Sequence, residues 1–159
     1  MLKILWKGFL YNMTNSYKLI QLTNTAIGDV ATDAYIPYGR VTRRINAPSN
    51  CCNTFGVVSS GADTVNLNDL GFYKVAYSLT ASAAEAGEVT INLVTNGVSV
   101  YSVTETITAA GTVNVTLLYA IRVCSSCGAS AEACPVSVQI QNTGVALTGV
   151  SGNLIIEKI

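Results

Sequence analysis

Five cysteines are the side chains of this sequence best suited to chemistry, and they form two groups, Cys51-Cys52 and then Cys124, Cys127 and Cys134. The spacing of Cys124-Ser-Ser-Cys127 is typical of one half of a zinc knuckle or of a redox pair. A zinc site would need a second pair of ligands, and the sequence contains no histidine to supply it. Three interpretations stay open: structural zinc, a disulfide between the two groups, and small buried thiols, of which we favour the last.

Other residues for catalysis are scarce. The lack of histidine removes the commonest general base, and no Gly-x-Ser-x-Gly turn presents a serine as a nucleophile. A glycosidase needs two carboxylates that face each other across a cleft, whereas the candidates here fall in presumed loops and strand ends: Glu85, Glu88, Glu105 and Glu132. The sequence therefore predicts that the protein is not an enzyme and has no catalytic residue, metal or cofactor.

Charge is unusually sparse. Only 11% of the residues are charged, and nine basic residues balance nine acidic ones, against a norm of roughly 25% charged residues. Zero net charge gives no electrostatic argument for nucleic acid or an anionic membrane as a partner, and no apolar run approaches the length of a transmembrane helix. Low charge instead suggests that neighbouring subunits cover much of the surface.

The short basic cluster of Arg40, Arg43 and Arg44 is the clearest charged feature. Arginine pairs bidentately with carboxylates, so these residues could anchor the protein on an acidic surface. They could also be an ordinary solvated face that balances nearby acidic residues, namely Asp29, Asp33 and Asp63.

Alternating apolar and polar residues predict β-strands through most of the chain. In Leu70–Tyr101, for example, one strand would bury Tyr73, Val75, Tyr77 and Leu79, and Asn96-Gly97 is a strong signal for a tight hairpin turn. Strands are expected at Val41–Ile45, Thr54–Val58, Thr64–Leu67, Phe72–Thr80, Val89–Thr95, Val98–Thr104, Thr112–Val123, Val136–Gln141 and Asn153–Ile159. Residues 14–39 show no sustained period and are expected to be irregular, and Ala81–Glu85 is expected to be a loop. The fold class is all-β, an antiparallel sandwich of about eight to ten strands.

The order of several motifs resembles the C1q/tumour-necrosis-factor jelly roll. These motifs are the strand start Gly71-Phe72-Tyr73, the turn Asn96-Gly97-Val98 and the closing apolar strand. Over about residues 20–159 the chain is similar to small head-fibre or capsid-decoration proteins of tailed phages and prophages. The matching features are Leu22-Thr23-Asn24, Gly39-Arg40-Val41-Thr42-Arg43-Arg44-Ile45, Cys51-Cys52, Arg122-Val123, Asn142-Thr143-Gly144 and Glu157-Lys158-Ile159.

This resemblance implies a homotrimeric virion protein on the capsid surface, made in the host cytoplasm, with the major capsid protein as its partner. It also implies a domain division, in which residues 1–45 form an N-terminal extension and capsid-docking arm and residues 46–159 form the jelly roll. Residues 1–12 are expected to be an unessential or flexible extension.

Two other functions remain open. The chain could be a carbohydrate- or receptor-binding head of a fibre that recognises host-surface or mucus glycans, or it could belong to a bacterial or spore surface. Neither nucleic acid nor a membrane is expected as a partner.

Overall fold

The computed structural model describes residues 18–25, 27–45, 55–57, 62–124 and 135–159, in which the chain forms eleven β-strands and no helix. The strands are β1 (Lys18–Asn24), β2 (Ala34–Tyr35), β3 (Arg40–Ile45), β4 (Phe55–Val57), β5 (Val65–Leu67), β6 (Gly71–Ala83), β7 (Gly87–Thr95), β8 (Val98–Ile107), β9 (Gly111–Val123), β10 (Val136–Asn142) and β11 (Leu147–Lys158).

Two antiparallel sheets face each other. The first has five strands in the order β3-β1-β11-β6-β9, and the second has the order β4-β5-β10-β7-β8, with β2 also paired to β10. The last strand, β11, lies between β1 and β6, so the two ends of the described chain meet in the middle of one sheet. Most connections along the chain cross from one sheet to the other.

The strand register defines two ends of the sandwich. At the N-terminal end, where β1 begins, Lys18 pairs with Lys158, and Lys158 pairs with Tyr73. At the far end Ala83 pairs with both Leu147 and Gly111. Strand β6 ends at Ala83, at the far end, and β7 begins shortly afterwards at Gly87, so the β6–β7 turn lies at the far end. Strand β7 then runs back, which places the β7–β8 turn at the N-terminal end. Thirteen residues of β6 span roughly 40 Å between the two ends at about 3.3 Å per residue.

The core lies between the two inner faces. Strands β6 and β9 alternate along their length, with every second side chain facing the core and its neighbours facing outward. Phe55 and Tyr73 pack edge to face across the core, with ring centroids 6.0 Å apart. The buried hydroxyl of Tyr38 donates a hydrogen bond of 2.9 Å to the carbonyl of Val138. Apolar burial therefore supplies the cohesion, and most buried polar atoms have partners.

An ionic cluster fastens the N-terminal end. Asp69, in the turn between β5 and β6, forms ion pairs with Lys18 of β1 and Lys158 of β11, the latter at 3.7 Å. The Tyr73 hydroxyl donates a hydrogen bond of 2.7 Å to the Asp69 carbonyl. Because Lys18 is only 8% exposed, the carboxylate offsets the cost of burying its ammonium group. The cluster joins the first and last strands to the turn that starts β6.

Most strand predictions are confirmed, including the inward sides of β6, β7 and β9. The Asn96-Gly97 hairpin is also confirmed, since both residues adopt positive φ, 50° and 79°. The expectation that residues 14–39 are irregular is wrong for Lys18–Asn24, which forms a buried strand inside the five-stranded sheet. The sequence of this strand does not show a regular alternation of apolar and polar residues, because the consecutive residues Lys18, Leu19 and Ile20 are all buried.

Two boundaries also differ from expectation. The region Ala81–Glu85 is not all loop, because β6 continues to Ala83 and pairs with Gly111. Strand β11 begins at Leu147 instead of Asn153, and a register shift between Thr148 and Ser151 breaks its alternation. The described part of residues 1–45 contributes β1, β2 and β3 to the two sheets, so this part of the expected arm is built into the sandwich.

The Tyr77 hydroxyl is buried and, within the described residues, has no hydrogen-bond partner. A Cβ atom added to Gly152 would lie 2.5 Å from this oxygen, so the glycine makes room for it. We expect Tyr77→Phe to be neutral or to stabilise the fold by about 1 kcal/mol, because it removes an unsatisfied buried group. Gly152→Ala should destabilise the fold by about 1–3 kcal/mol through overpacking.

The two substitutions should be coupled, since Tyr77→Phe removes the hydroxyl that the new methyl group of Gly152→Ala would meet. Urea unfolding of the wild type, both single variants and the double variant measures that coupling. Strictly additive free energies of unfolding would contradict the proposed contact.

Alkaline pH should destabilise the fold. Burial raises the pKa of Tyr38 and of Tyr77 well above the ordinary value of 10.0. Burial, followed by the charge of Asp69, raises the pKa of Tyr73. These raised pKa values mean that the unfolded chain loses its phenolic protons first. Stability from these residues is therefore intact below about pH 10 and falls above it, by about 1.4 kcal/mol per pH unit for each tyrosine.

Urea unfolding between about pH 8 and 11 tests this pH dependence, and Tyr77→Phe should reduce the slope above pH 10 by about a third. An unchanged slope in that variant would show that Tyr77 does not contribute.

Candidate interaction surfaces

The three arginines singled out in the sequence lie on β3, the outermost strand of the five-stranded sheet, and all three are exposed. Arg40 pairs with Thr23 and Arg43 pairs with Gln21, so both side chains share the outer face of the sheet with those residues. Arg44 pairs with Ile20 and points to the opposite side. A register shift between Gln21 and Leu22 separates Arg40 from the other two.

No described carboxylate forms an ion pair with any of these arginines; the pairs found in the described ranges involve Lys18, Lys74 and Lys158. The structure therefore places the three arginines on one exposed edge strand, with Arg40 and Arg43 on the outer face and Arg44 on the opposite side. Whether they anchor the protein stays a prediction.

Of the five cysteines, the structure describes only Cys124, which is an exposed free thiol directly after β9. Cys51, Cys52, Cys127 and Cys134 lie outside the described residues, so the disulfide and zinc interpretations stay untested. The buried-thiol interpretation is wrong for Cys124, which is exposed, and stays untested for the other four. Among the residues that are described, no three potential metal ligands come together. No helix in the same ranges has the length and apolar character needed to cross a membrane.

The outer face of the five-stranded sheet is a broad regular surface formed by the strands β3, β1, β11, β6 and β9. Its central rows carry small and hydroxyl-bearing side chains, such as Ala76 beside Leu118 and Ser78 beside Thr116. Phe72 and Leu118 are 51% and 57% exposed on this face. In the described ranges no further layer covers the face, and its charged residues lie toward the N-terminal end and along β3. It is a flat, mostly uncharged surface with exposed apolar residues, as found at protein interfaces.

Strands β8 and β9 close the open side of the sandwich, because each is the last strand of its sheet. The rings of Tyr101 and Tyr119 stack across this gap, with centroids 5.4 Å apart and planes inclined by 26°. Strand β8 has ten residues, none of which is lysine or proline, and Glu105 is its one charged residue. Natural proteins usually protect such edges with charge, proline or a covering segment. This edge is therefore a second surface suited to contact with another chain.

A shallow hollow of about 250 Å³ opens on the outer face where β1, β6 and β11 adjoin. Its lining consists of hydroxyl and amide side chains and one glycine: Thr23, Asn24, Thr25, Ser78, Thr80, Ser151, Gly152 and Asn153. These groups donate and accept hydrogen bonds, but none of them is a carboxylate, amine or thiol that could exchange a proton near neutral pH. The hollow is suited to polar binding and not to acid–base catalysis.

Two cations that the sequence did not single out lie near the arginines. Lys74 and Arg122 both point outward on the five-stranded sheet close to its N-terminal end, and the Arg122 guanidinium lies 5.7 Å from the Phe72 ring centroid. Lys74 lies near the start of β6 and Arg122 near the end of β9, far apart in the sequence, so only the pairing of these two strands brings them together. The sequence could have identified them because both occupy outward-facing positions in strands predicted to alternate between apolar and polar residues.

Comparison with solved structures identifies the fold. The chain matches the globular domain of zebrafish complement 1qA with a TM-score of 0.58 at 8% identity, over 87% of this chain and 94% of that one. It matches murine APRIL with a TM-score of 0.58 at 7% identity, over 90% and 99%. It matches vertex protein P5 of phage PRD1 with a TM-score of 0.50 at 15% identity, over 89% and 96%.

The fold is the C1q/tumour-necrosis-factor-like jelly roll. At these identities the likeness concerns the fold alone, and it confirms the architecture that the sequence motifs suggested. No family model matches the sequence, and no curated protein matches it either.

Proposed function

We propose that this jelly roll is a structural virion protein of a tailed bacteriophage, which decorates the capsid exterior as a homotrimer by binding the major capsid protein. The observation that carries the proposal is the pair of uncovered surfaces, the outer face of the five-stranded sheet and the β8–β9 edge. The likeness to a phage vertex protein supports a virion setting. A purely binding function also agrees with the lack of a catalytic arrangement among the described residues.

The two surfaces favour a ring of subunits over a simple two-fold dimer. One is a broad sheet face and the other is a narrow edge, so the two differ in shape and could meet each other head to tail. When different surfaces of identical chains meet head to tail, the assembly closes into a ring if the rotation allows it. Three copies are the number implied by the resemblance to head-fibre and decoration proteins. Burial of the face and edge would also account for the low charge of the chain.

The function would then consist of repeated binding. Each subunit contributes a modest contact with the shell, and joining three subunits makes the second and third contacts intramolecular. In this arrangement the arginine-bearing edge of β3 belongs to the surface of the jelly roll itself, because β1 and β3 are integral strands.

A carbohydrate-binding head is the second candidate, and the hydroxyl- and amide-lined hollow is the observation that favours it. Such groups can bind sugar hydroxyls, but no aromatic side chain lines this hollow to stack on a sugar ring. The hollow also lies on the face that trimerisation would cover, so it would bind glycans only in a protein that assembles differently.

The solution mass measured by light scattering tests the assembly. We expect three times the 16.7 kDa chain for the wild type. Leu118→Glu should shift the mass toward one chain, because it places a carboxylate in the middle of the apolar outer face. Tyr35→Glu is the matched control, since Tyr35 is also an exposed apolar residue, 37% exposed, but lies on the other sheet. A wild-type protein that stays monomeric, or a trimer that Leu118→Glu leaves intact, would contradict this assembly.

Two binding experiments separate the two candidate functions. Capsids of the encoding phage that lack this protein should bind the purified chain in co-sedimentation, and a glycan array should show no selective binding. Selective glycan binding without capsid binding would replace the decoration function by the carbohydrate-binding one.

A further inference from the structure

The zero net charge of the chain conceals a strong separation of charge between the two ends of the jelly roll. Six of the described cations lie in the half near the N-terminal end, with two carboxylates, which leaves an excess of four positive charges. The cations are Lys18, Arg43, Arg44, Lys74, Arg122 and Lys158, and the carboxylates are Asp69 and Glu157. We call this half the basic end.

The opposite half is acidic. It carries five carboxylates and, among the described residues, no lysine or arginine: Asp29, Asp33, Glu85, Glu88 and Glu105. Glu88 pairs with Thr106 and Glu105 pairs with Val89 where β7 begins, and Asp29 precedes the bridge between Val30 and Leu147. We call this half the acidic end. Arg40 and Asp63 lie near the boundary between the two halves and are counted in neither.

Exposed large apolar residues are also concentrated at the basic end. Four of them lie at the basic end, where Leu70, Phe72, Val98 and Ile159 are 43%, 51%, 63% and 69% exposed. Of the other exposed large apolar residues of the described chain, Leu118 lies in the same row of paired residues as Arg43, and none lies at the acidic end: Tyr35, Val41, Val100, Tyr101 and Leu118. An apolar centre with arginine nearby is the composition typical of a protein–protein interface.

The cations of the basic end are available to a partner to different degrees. Lys18 and Lys158 are already engaged by Asp69, and Lys74 lies 4.0 Å from Glu157. Arg43, Arg44 and Arg122 are exposed and form no ion pair with a described carboxylate. The guanidinium groups of these three arginines could therefore pair bidentately with carboxylates of another molecule.

We propose that the basic end is the docking surface of the jelly roll, that its partner is an acidic protein surface, and that the acidic end faces away from it. The exposed apolar residues of this end favour a protein over a nucleic acid or an anionic membrane as the partner, because an apolar centre is typical of protein–protein interfaces. The assignment of that partner to the capsid rests on the proposed function, whereas the recognition of carboxylates by this end does not.

Charge variants of the full-length protein test the docking surface. The basic-end variant is Arg43→Gln/Arg44→Gln/Arg122→Gln. The control is Thr32→Asp/Ala86→Asp/Thr108→Asp, which changes the net charge equally but at exposed positions of the acidic end. Arg40→Gln is a second control, because Arg40 lies near the boundary between the two halves.

The first probe is immobilised polyglutamate, compared with duplex DNA and with phosphatidylserine vesicles. Wild-type protein should bind polyglutamate in a salt-sensitive way, and the basic-end variant should bind about tenfold more weakly. Both controls should bind like the wild type. Equal loss in the acidic-end control, no binding by the wild type, or preferred binding to DNA or vesicles would overturn the proposal.

The second probe is the capsid that lacks this protein. Loss of co-sedimentation by the basic-end variant, with both controls still bound, would support docking through this end. Equal binding by all variants would overturn it while the decoration function stands. Wild-type binding to polyglutamate through the basic end, without binding to capsids, would support the docking surface and refute the decoration function.

Discussion

The pairing of β11 with β1 on one side and with β6 on the other is the interaction on which the rest of the structure depends. Seven residue pairs join β1 to β11, so the first and last strands of the described chain stabilise each other at the centre of the five-stranded sheet. At the N-terminal end the Asp69 carboxylate binds lysines from both strands. Because this register fixes which residues reach each end, it also fixes the separation of basic and acidic residues.

Two surfaces of a single chain have no covering element among the described residues. The five-stranded sheet has the core on one face and no described layer on the other, while β8 and β9 end their sheets and no described strand pairs with their outer sides. A sparsely charged protein is poorly suited to leave such surfaces in water. Phe72, Lys74 and Arg122 belong both to the outer face and to the basic end, so the docking surface borders the surface proposed for self-association.

The sequence was informative where one side of a strand faces the core and the other faces solvent. In β6 and β9 every second residue faces the core, and both strands were predicted with nearly correct bounds. It was uninformative for β1, where Lys18 and Leu19 are both buried, because the strand lies inside the sheet and its first lysine is neutralised by Asp69. The first half of β11 was missed because a register shift and two glycines, Gly149 and Gly152, interrupt the alternation.

The candidate sites show the same division. The exposed arginines of β3 were found because they are close together in the sequence, whereas Lys74 and Arg122 become neighbours only through the β6–β9 pairing. The separation of charge between the two ends could not be predicted from a net charge of zero, because it depends on which end of each strand carries each charged residue.

Electron cryomicroscopy of phage particles that carry this chain tests the central claim most directly. A decoration protein should appear as three-fold jelly-roll density on the capsid exterior, with the basic end against the shell and the acidic end toward solvent. Particles whose shells lack this density, or on which the acidic end contacts the shell, would contradict the account.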